Sequence, residues 1–349
     1  MRILVTGAAG SIGGELVARL AARGHAVTAL VHRRHSIVGN DGQAVPSRAE
    51  GVAGPGQVVT LAGDVRVPGL GLATAPDVDL IIHSAAITAF DAPADVYQAV
   101  NIDGTANVTA LAAGGSTPLL QVSTAYVCGT RDGRIPEDSV GGYFVNGYEA
   151  SKAAGEAIVR AAGVPFAIAR PSVVVGDSAT GASRDFENIY MIFKLIAEGR
   201  VRTLPAAPGA SLDLVPIDHV CGGIVAMAED FGRVAGRTLH LVAAQATPVT
   251  AIGAAIAAVP GLGAPHFVDP SDFVPALLPP VERRYHAAAA ALYTSYLLRG
   301  PVFDTAHAAA LLPACPPTGR DWLDRLIGHC LDRGFVTARP DRASRASAA

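Results

Sequence analysis

Lys152 and Lys194 are the only lysines in a chain whose Lys and Arg residues total 27. Lys152 lies four residues after a tyrosine, in Tyr148-Glu-Ala-Ser-Lys152. The chain otherwise takes its positive charge from arginine, so a lysine here needs a reason that arginine cannot meet. On a helix, residues i and i+4 share a face, which turns both side chains toward one pocket. A compact ammonium there can lower a phenol's pKa from about 10 and reach a ribose hydroxyl, tasks that a broad guanidinium fits poorly. A second constellation is Gly7-Ala-Ala-Gly10-Ser11-Ile12-Gly13. Gly7 permits a tight turn, Gly10 lets backbone amides approach a pyrophosphate, and Gly13 allows a helix to pack closely on a strand. It follows a first strand and opens a first helix, as a dinucleotide site requires.

The end of the second strand bears on the choice of dinucleotide. An acidic residue there would accept hydrogen bonds from a ribose 2′-hydroxyl. This chain reads Val31-His32-Arg33-Arg34-His35 instead. Guanidinium groups suit a 2′-phosphate, so NADP(H) is the expected cofactor, held by Arg33 or Arg34.

Strands and helices must alternate to bring these residues together. Ile3–Val5, Val27–Val31, Val58–Leu61, Val78–Ile82, Leu119–Ser123 and Phe166–Ala169 read as short buried strands. Helices are expected from the glycine loop to about Arg23, over about 94–112, and after Asn146. Apolar strands alternating with amphipathic helices predict an α/β fold, a Rossmann-type doubly wound parallel sheet. The alternation loosens past Gly176. Leu212–Pro216 and Thr238–Val242 read as strands, and helices are expected near 220–228 and 248–258, the latter with Thr247 as N-cap and Pro248 as first residue. Residues from about 267 to 335 read as mainly helical, and 337–349 as a disordered tail. The expected division is a cofactor domain over 1–175, rejoined by about 212–245, and a smaller substrate lobe over 176–336, mostly helical after 248.

Net charge is -3, with both signs scattered, so no basic patch marks a nucleic-acid partner. Mean hydropathy is positive at +0.35, but it comes largely from Ala and Val, and no run of about 18 to 20 apolar residues is uninterrupted. The opening Met-Arg-Ile-Leu-Val-Thr-Gly7 leads into a strand and lacks the pattern of a signal peptide. Cys128, Cys221, Cys315 and Cys330 are widely spaced, with no pair suited to zinc or redox work, and no metal site is expected. A soluble cytoplasmic protein is the expectation.

Taken in order, Thr6-Gly-Ala-Ala-Gly-Ser-Ile-Gly13, Gly63-Asp64-Val65, His83-Ser84-Ala85-Ala86, Asn101-Ile-Asp-Gly-Thr105, Ser123-Thr124-Ala-Tyr-Val-Cys-Gly129, Tyr148-x-x-x-Lys152 and Arg170-Pro171-Ser172 resemble an extended short-chain dehydrogenase/reductase. The resemblance covers about residues 1–245. Gly63 to Leu72, Arg170 to Asp177 with Thr180-Gly181, and Leu212 to Asp218 are similar to its thioester reductase and fatty acyl-CoA reductase branch. The resemblance implies Tyr148 as proton donor, Thr124 as a second hydrogen bond to the same carbonyl oxygen, Lys152 as their partner, and Asn101 as the end of a proton relay. It implies Asp64 and Val65 at the adenine, Ala85 and Ala86 along the cofactor, and Pro171, Ser172 and Val173 beside the nicotinamide. The branch usually has arginine where this chain has His32, which leaves Arg33 and Arg34 as alternatives. Substrate choice is expected in the later lobe and in the loop from Gly176 to Asn188.

The implied activity is NADPH-dependent reduction of a carbonyl, most specifically of an acyl thioester carried by CoA or a separate carrier protein. The alternative is a ketone or aldehyde reductase acting on a free small molecule. An NAD-dependent nucleotide-sugar epimerase or dehydratase, and a non-catalytic NADP-binding protein, stand behind these. A homodimer is left open.

Overall fold

Short runs of β-branched and leucine side chains, apolar on both faces, can bury themselves only inside a sheet covered on both sides. The computed structural model describes residues 1–339. Its centre is such a sheet: β1 (Arg2–Thr6), β2 (Ala26–Val31), β3 (Val58–Ala62), β4 (Leu80–His83), β5 (Leu119–Val122), β6 (Phe166–Pro171) and β7 (Thr238–Leu241). All neighbours run parallel, in the order β7-β6-β5-β4-β1-β2-β3. The order reverses between β1 and β4, where open α/β sheets place their ligands. Ile3, Val5, Val27, Ile82, Leu120 and Ala167 pack one face, against α1 (Ser11–Ala22) and the later helix 217–229. Leu4, Leu30, Ile81 and Leu119 pack the other, against α2 (Asp103–Gly115) and α3 (Gly147–Ala161). The sheet and its wrapping are as the sequence predicts.

The long helix expected over 94–112 is instead three pieces. A short α-turn, Ala94–Tyr97, passes through a π-helical turn, Gln98–Ile102, into α2. Such wide turns cluster at functional sites because they re-aim a side chain; here the residue is Asn101.

The later segments form a third core, in which α4 (Ile189–Ala197), the residues before α5 (Ile217–Glu229), α6 (Ala291–Leu297) and α7 (Arg320–Asp332) meet around Ile192, Leu204, Leu212, Tyr293 and Trp322. Four small two-stranded pairs stitch it together, among them Gly133–Ile135 beside Pro301–Phe303 and Val173–Val175 beside Leu214–Pro216. The region from 267 to 335 is thus helical with strands His266–Val268 and Pro301–Phe303 inserted.

Three local expectations are corrected. The strand Leu212–Pro216 is broken at Asp213: Ser211–Leu212 pairs with Thr247–Pro248, while Leu214–Pro216 pairs with Val173–Val175. Thr247 is therefore spent on a bridge, and Pro248, not Thr247, is the N-cap of the helix Val249–Ala257. Thr337 to Arg339 lie outside the expected disorder, since the Arg339 amide donates to Gly261 O at 2.9 Å and its guanidinium to Glu198 O at 2.5 Å. The rest of that tail lies outside the described residues. No helix among them is long and apolar enough to cross a membrane.

Candidate active site

A cavity of about 290 Å³ opens at the carboxyl edge of the sheet, beside the switch point between β1 and β4. Its floor is the glycine loop, Gly7, Gly10, Ser11, Ile12 and Gly13. Gly7 has φ +70°, and a Cβ there would lie 2.6 Å from the Ala85 amide nitrogen. At Gly13 a Cβ would lie 2.0 Å from the Gly7 carbonyl oxygen, so any side chain would force loop and helix apart. Gly10 is different, with its one close neighbour at 3.3 Å. The loop is a cradle kept bare of side chains, with the unpaired amides of α1 turned to it. That is the anion-binding geometry of a helix N-terminus, and it fits a pyrophosphate.

The opposite wall carries Thr124, Tyr148 and Lys152, with Pro171, Ser172, Val173 and Ala86 beside them. Thr124 stands just past the end of β5 and caps the short turn Ala125–Cys128, accepting the Tyr126 amide at 3.3 Å. Tyr148 and Lys152 project from the first turns of α3, whose N-cap Asn146 accepts the Glu149 amide at 2.9 Å. Lys152 is buried, and its ammonium donates to the Val122 carbonyl at 2.6 Å. Burial pulls the Lys152 ammonium down to about 8, against the field of Glu156. Tyr148 is pushed up to about 12, again by burial, while its hydrogen bond with Thr124 pulls the other way. The expected lowering of the phenol by Lys152 is therefore not met here: desolvation outweighs it, and the ammonium is turned to a backbone carbonyl.

Behind the wall two buried ion pairs hold α3. Arg170, at the end of β6, forks onto Glu156 at 2.8 and 2.7 Å. Burial works to raise the Glu156 carboxyl, but the Arg170 bonds win and hold it below the usual range. Arg299 donates to Glu149 at 2.6 Å, and the Tyr296 hydroxyl donates to the same oxygen at 2.8 Å. The Arg299 guanidinium lies 5.2 and 4.6 Å from the ring centres of Tyr126 and Tyr296. Phe90 stacks on Tyr296 at 5.4 Å and lies 6.0 Å from Tyr148, so an aromatic shelf flanks the phenol.

A profile of the NAD-binding family described as Male sterility protein matches residues 5–224, well over half of the chain. The chain belongs to that family. A linear gramicidin synthase of Brevibacillus parabrevis is 33% identical over 190 residues, 48% of this chain but 4% of that protein. Aldehyde reductase lnaA of Aspergillus flavus is 26% identical over 178 residues, 47% of this chain and 17% of that protein. The probable fatty acyl-CoA reductase 4 of Arabidopsis thaliana is 24% identical over 261 residues, covering 56% and 53% of the two chains. The male-sterility-type chain thus spans only a part of these relatives. Among solved structures, the terminal R domain from the myxalamid PKS-NRPS pathway superposes with TM-score 0.77 at 25% identity, over 97% of this chain and 92% of that one. A UDP-galactose 4-epimerase superposes with TM-score 0.66 at 21% identity, over 95% and 99%, a likeness of fold. The architecture is that of the extended short-chain dehydrogenase/reductases.

In this male-sterility-type chain some expected residues stand away from the cavity wall. Asn101 lies one layer behind it. Its amide nitrogen donates to Ile87 O at 3.0 Å and Ser151 Oγ at 2.8 Å, and its Oδ1 accepts the Ile87 amide at 2.8 Å. Its side chain ties the segment after β4 to α3. The Val65 side chain is buried against α2, where Gly104 makes room for it. Asp64 is forked by Arg66, whose bonds hold the carboxyl at about 2. Ala85 packs over Gly7. Arg33 and Arg34 are exposed beyond β2. His83 is fully buried between Thr6 Oγ1 at 2.7 Å and Thr105 Oγ1 at 3.2 Å, and burial pulls it down to about 3, a neutral strut.

From the sequence Asp218 reads as the N-cap of the helix near 220–228, but it lies inside α5 and its carboxylate accepts the amide and hydroxyl of Ser178 at 2.7 and 2.6 Å. It thereby anchors the loop 176–188, whose other neighbours include Trp322, donating to Asp177 O at 3.1 Å. The loop 176–188, expected to address the substrate, lines the cavity through Ser183, Asp185, Glu187 and Asn188, while sequence reasoning missed that Phe90, Tyr126 and Tyr296 line it too. No local pattern marks these three rings, because the rings they meet are distant in the chain: Phe90 packs on Tyr148 and Tyr296, and Tyr126 on Tyr296.

Proposed function

We propose that the chain is an NADPH-dependent reductase that reduces the carbonyl of an acyl thioester to an aldehyde, or onward to an alcohol. The observation that carries this reading is the joining of Thr124, Tyr148 and Lys152 with the bare glycine loop in one cavity. Family membership and likeness to the terminal R domain support the thioester as substrate. In this reading residues 1–175 with about 212–245 hold the cofactor, and 176–336 form the substrate lobe. Gly7, Gly10, Ser11, Ile12 and Gly13 hold the pyrophosphate, and Arg33 or Arg34 takes the 2′-phosphate. When bound, the cofactor supplies a hydride.

Thr124 and Tyr148 hold the substrate carbonyl oxygen and stabilise the negative charge that develops on it. Tyr148 then gives that oxygen its proton; a phenol held near 12 stays protonated until the oxyanion forms. Lys152, already bonded to Val122 O, fixes the spacing between α3 and the end of β5 and offers its remaining protons to the ribose. The hemithioacetal collapses to aldehyde and thiol. The acyl group would lie against apolar side chains at the substrate end. Ile189 and Tyr296 line both the main cavity and an adjoining void of about 30 Å³, walled by Ile192, Leu204, Leu212 and Val249.

The test is to mix the purified protein with NADPH and a panel of acyl-CoA thioesters, aldehydes and ketones, following nicotinamide absorbance and free thiol together. Cofactor oxidation matched by thiol release is the expected result. Oxidation with free carbonyls alone would move the protein to the second reading, an aldehyde or ketone reductase, which the likeness to aldehyde reductase lnaA favours. Equal affinity for NADH and NADPH would sink the cofactor assignment.

A further inference from the structure

The loop from Gly176 to Asn188 is expected to address the substrate, yet its middle reaches the other end of the cavity. Asp185 Oδ2 accepts the Ser11 hydroxyl at 2.8 Å, on the glycine loop itself. The same oxygen accepts Arg184 Nε at 2.8 Å and Nη2 at 2.6 Å. Arg184 also donates to the carbonyls of Val38, at 2.5 Å, and Ala9, at 3.3 Å. A Cβ on Gly14 would come within 2.9 Å of Arg184 Nη1 and 2.2 Å of the Val38 oxygen. Gly14 therefore leaves room for this guanidinium and for the carbonyl it binds, whereas Gly13 serves the turn.

The clasp is framed from behind. Asn40 Nδ2 donates to Ala182 O at 2.8 Å, its Oδ1 accepts the Arg184 amide at 3.2 Å, and Glu15 accepts the Asn40 amide at 2.8 Å. So the segment after β2, which carries Arg33 and Arg34, and the loop 176–188 are locked together over the first turn of α1. Burial works to raise the Asp185 carboxyl. Hydrogen bonds from Arg184 and Ser11, with the field of Arg34, outweigh it and hold the group below the usual carboxylate range.

An ionised carboxylate at the hydroxyl of an anion-binding loop poses a conflict, because a pyrophosphate needs the same place and like charges repel. The geometry points to Arg184 as a ligand of the cofactor pyrophosphate, with Asp185 standing at Ser11 in place of a phosphate oxygen until the dinucleotide displaces it. This rests on the NADP(H) reading above. The exchange keeps donors and acceptors matched: Ser11 Oγ and the Arg184 fork pass from carboxylate to phosphate, and Asp185 turns outward toward Arg34. Asp185 thus tempers affinity for the cofactor, and Arg184 supplies it.

The experiment titrates the full chain by calorimetry with NADPH and, separately, with adenosine 2′-monophosphate, which has the 2′-phosphate but no pyrophosphate. Asp185→Asn keeps the side chain's size and removes its charge. It is expected to tighten NADPH binding about fivefold at low salt, with the gain shrinking as salt screens the site. Arg184→Gln is expected to weaken NADPH about tenfold and to leave adenosine 2′-monophosphate within about twofold of wild type. The clasp is overturned if Asp185→Asn binds NADPH no more tightly than wild type, or if Arg184→Gln weakens both ligands alike. If Arg184→Gln melts early, the Asp185→Asn result decides alone. Wild-type affinity for NADPH checks the cofactor reading separately: tight wild-type binding with unaltered variants removes only the clasp.

Discussion

Replacing Arg299 by methionine tests whether the aromatic shelf and α3 are held by one buried charge pair. Arg299 and Glu149 are 5% and 0% exposed at their side chains, and Glu149 directly follows Tyr148. Arg299→Met leaves the Glu149 carboxylate buried with the Tyr296 hydroxyl at 2.8 Å and the Val145 amide at 3.3 Å. Removing one partner of a buried pair costs about 3–5 kcal/mol. For a chain of 349 residues the unfolding entropy is about 0.7 kcal/mol/K, so melting should fall by about 4–7 °C in scanning calorimetry. Removing the charge as well, in Glu149→Gln/Arg299→Met, should restore most of that loss, because a neutral buried site no longer carries an uncompensated ion. Melting of Arg299→Met within about 1 °C of wild type, or a double variant that falls by the sum of the single losses, would mean that this pair does not hold the helix.

Other outcomes follow from the same geometry. Tyr148→Phe should lower kcat by about 10²–10⁴-fold, since it removes the proposed proton donor, and should leave NADPH affinity within about threefold by fluorescence titration. Gly13→Ala, with its Cβ 2.0 Å from Gly7 O, should weaken NADPH binding by about tenfold or more and also lower the melting temperature. Asp213 is pushed up to about 6 by burial, against hydrogen bonds from Ser172 and the Ala243 amide. Its folded value lies above the unfolded one, so between about pH 4 and 6 the folded chain holds a proton that the unfolded chain has lost, and stability from this group falls as pH rises. Urea midpoints at pH 4.5 and 7 should show that fall in wild type and a smaller one in Asp213→Asn.

What could be read in advance was whatever is written locally. The glycine loop, the Tyr148–Lys152 spacing and each strand of the sheet depend on neighbours a few residues away, and they stand where the sequence puts them. The failures share a cause of the opposite kind. Asp218 looks like a cap, but Ser178 claims its carboxylate across the fold. Thr247 looks like an N-cap, but Leu212 claims its backbone in a bridge. The helix expected over 94–112 is broken by a wide turn at Gln98–Ile102, where Asn101 bonds Ser151, fifty residues on. Tyr296 and Arg299 reach α3 across about 150 residues, a distance at which periodicity and propensity are silent. The titration of Tyr148 belongs to the same class, since burial is a property of the assembled cavity.

The chain has a single tryptophan, Trp322, buried at 1% exposure, whose indole N–H bonds the carbonyl of Asp177 where the loop 176–188 begins. Its emission is therefore a one-residue optical signal, with no second indole to dilute it. A displacement of the loop from Ser11 would alter the hydrogen bond and polarity at this indole, and so shift the wavelength of the emission. A reduced nicotinamide in the cavity, which absorbs where an indole emits, would instead drain its intensity by energy transfer. Wavelength and intensity, followed together in a stopped-flow mixing experiment, would separate loop movement from cofactor arrival in time, without any added dye.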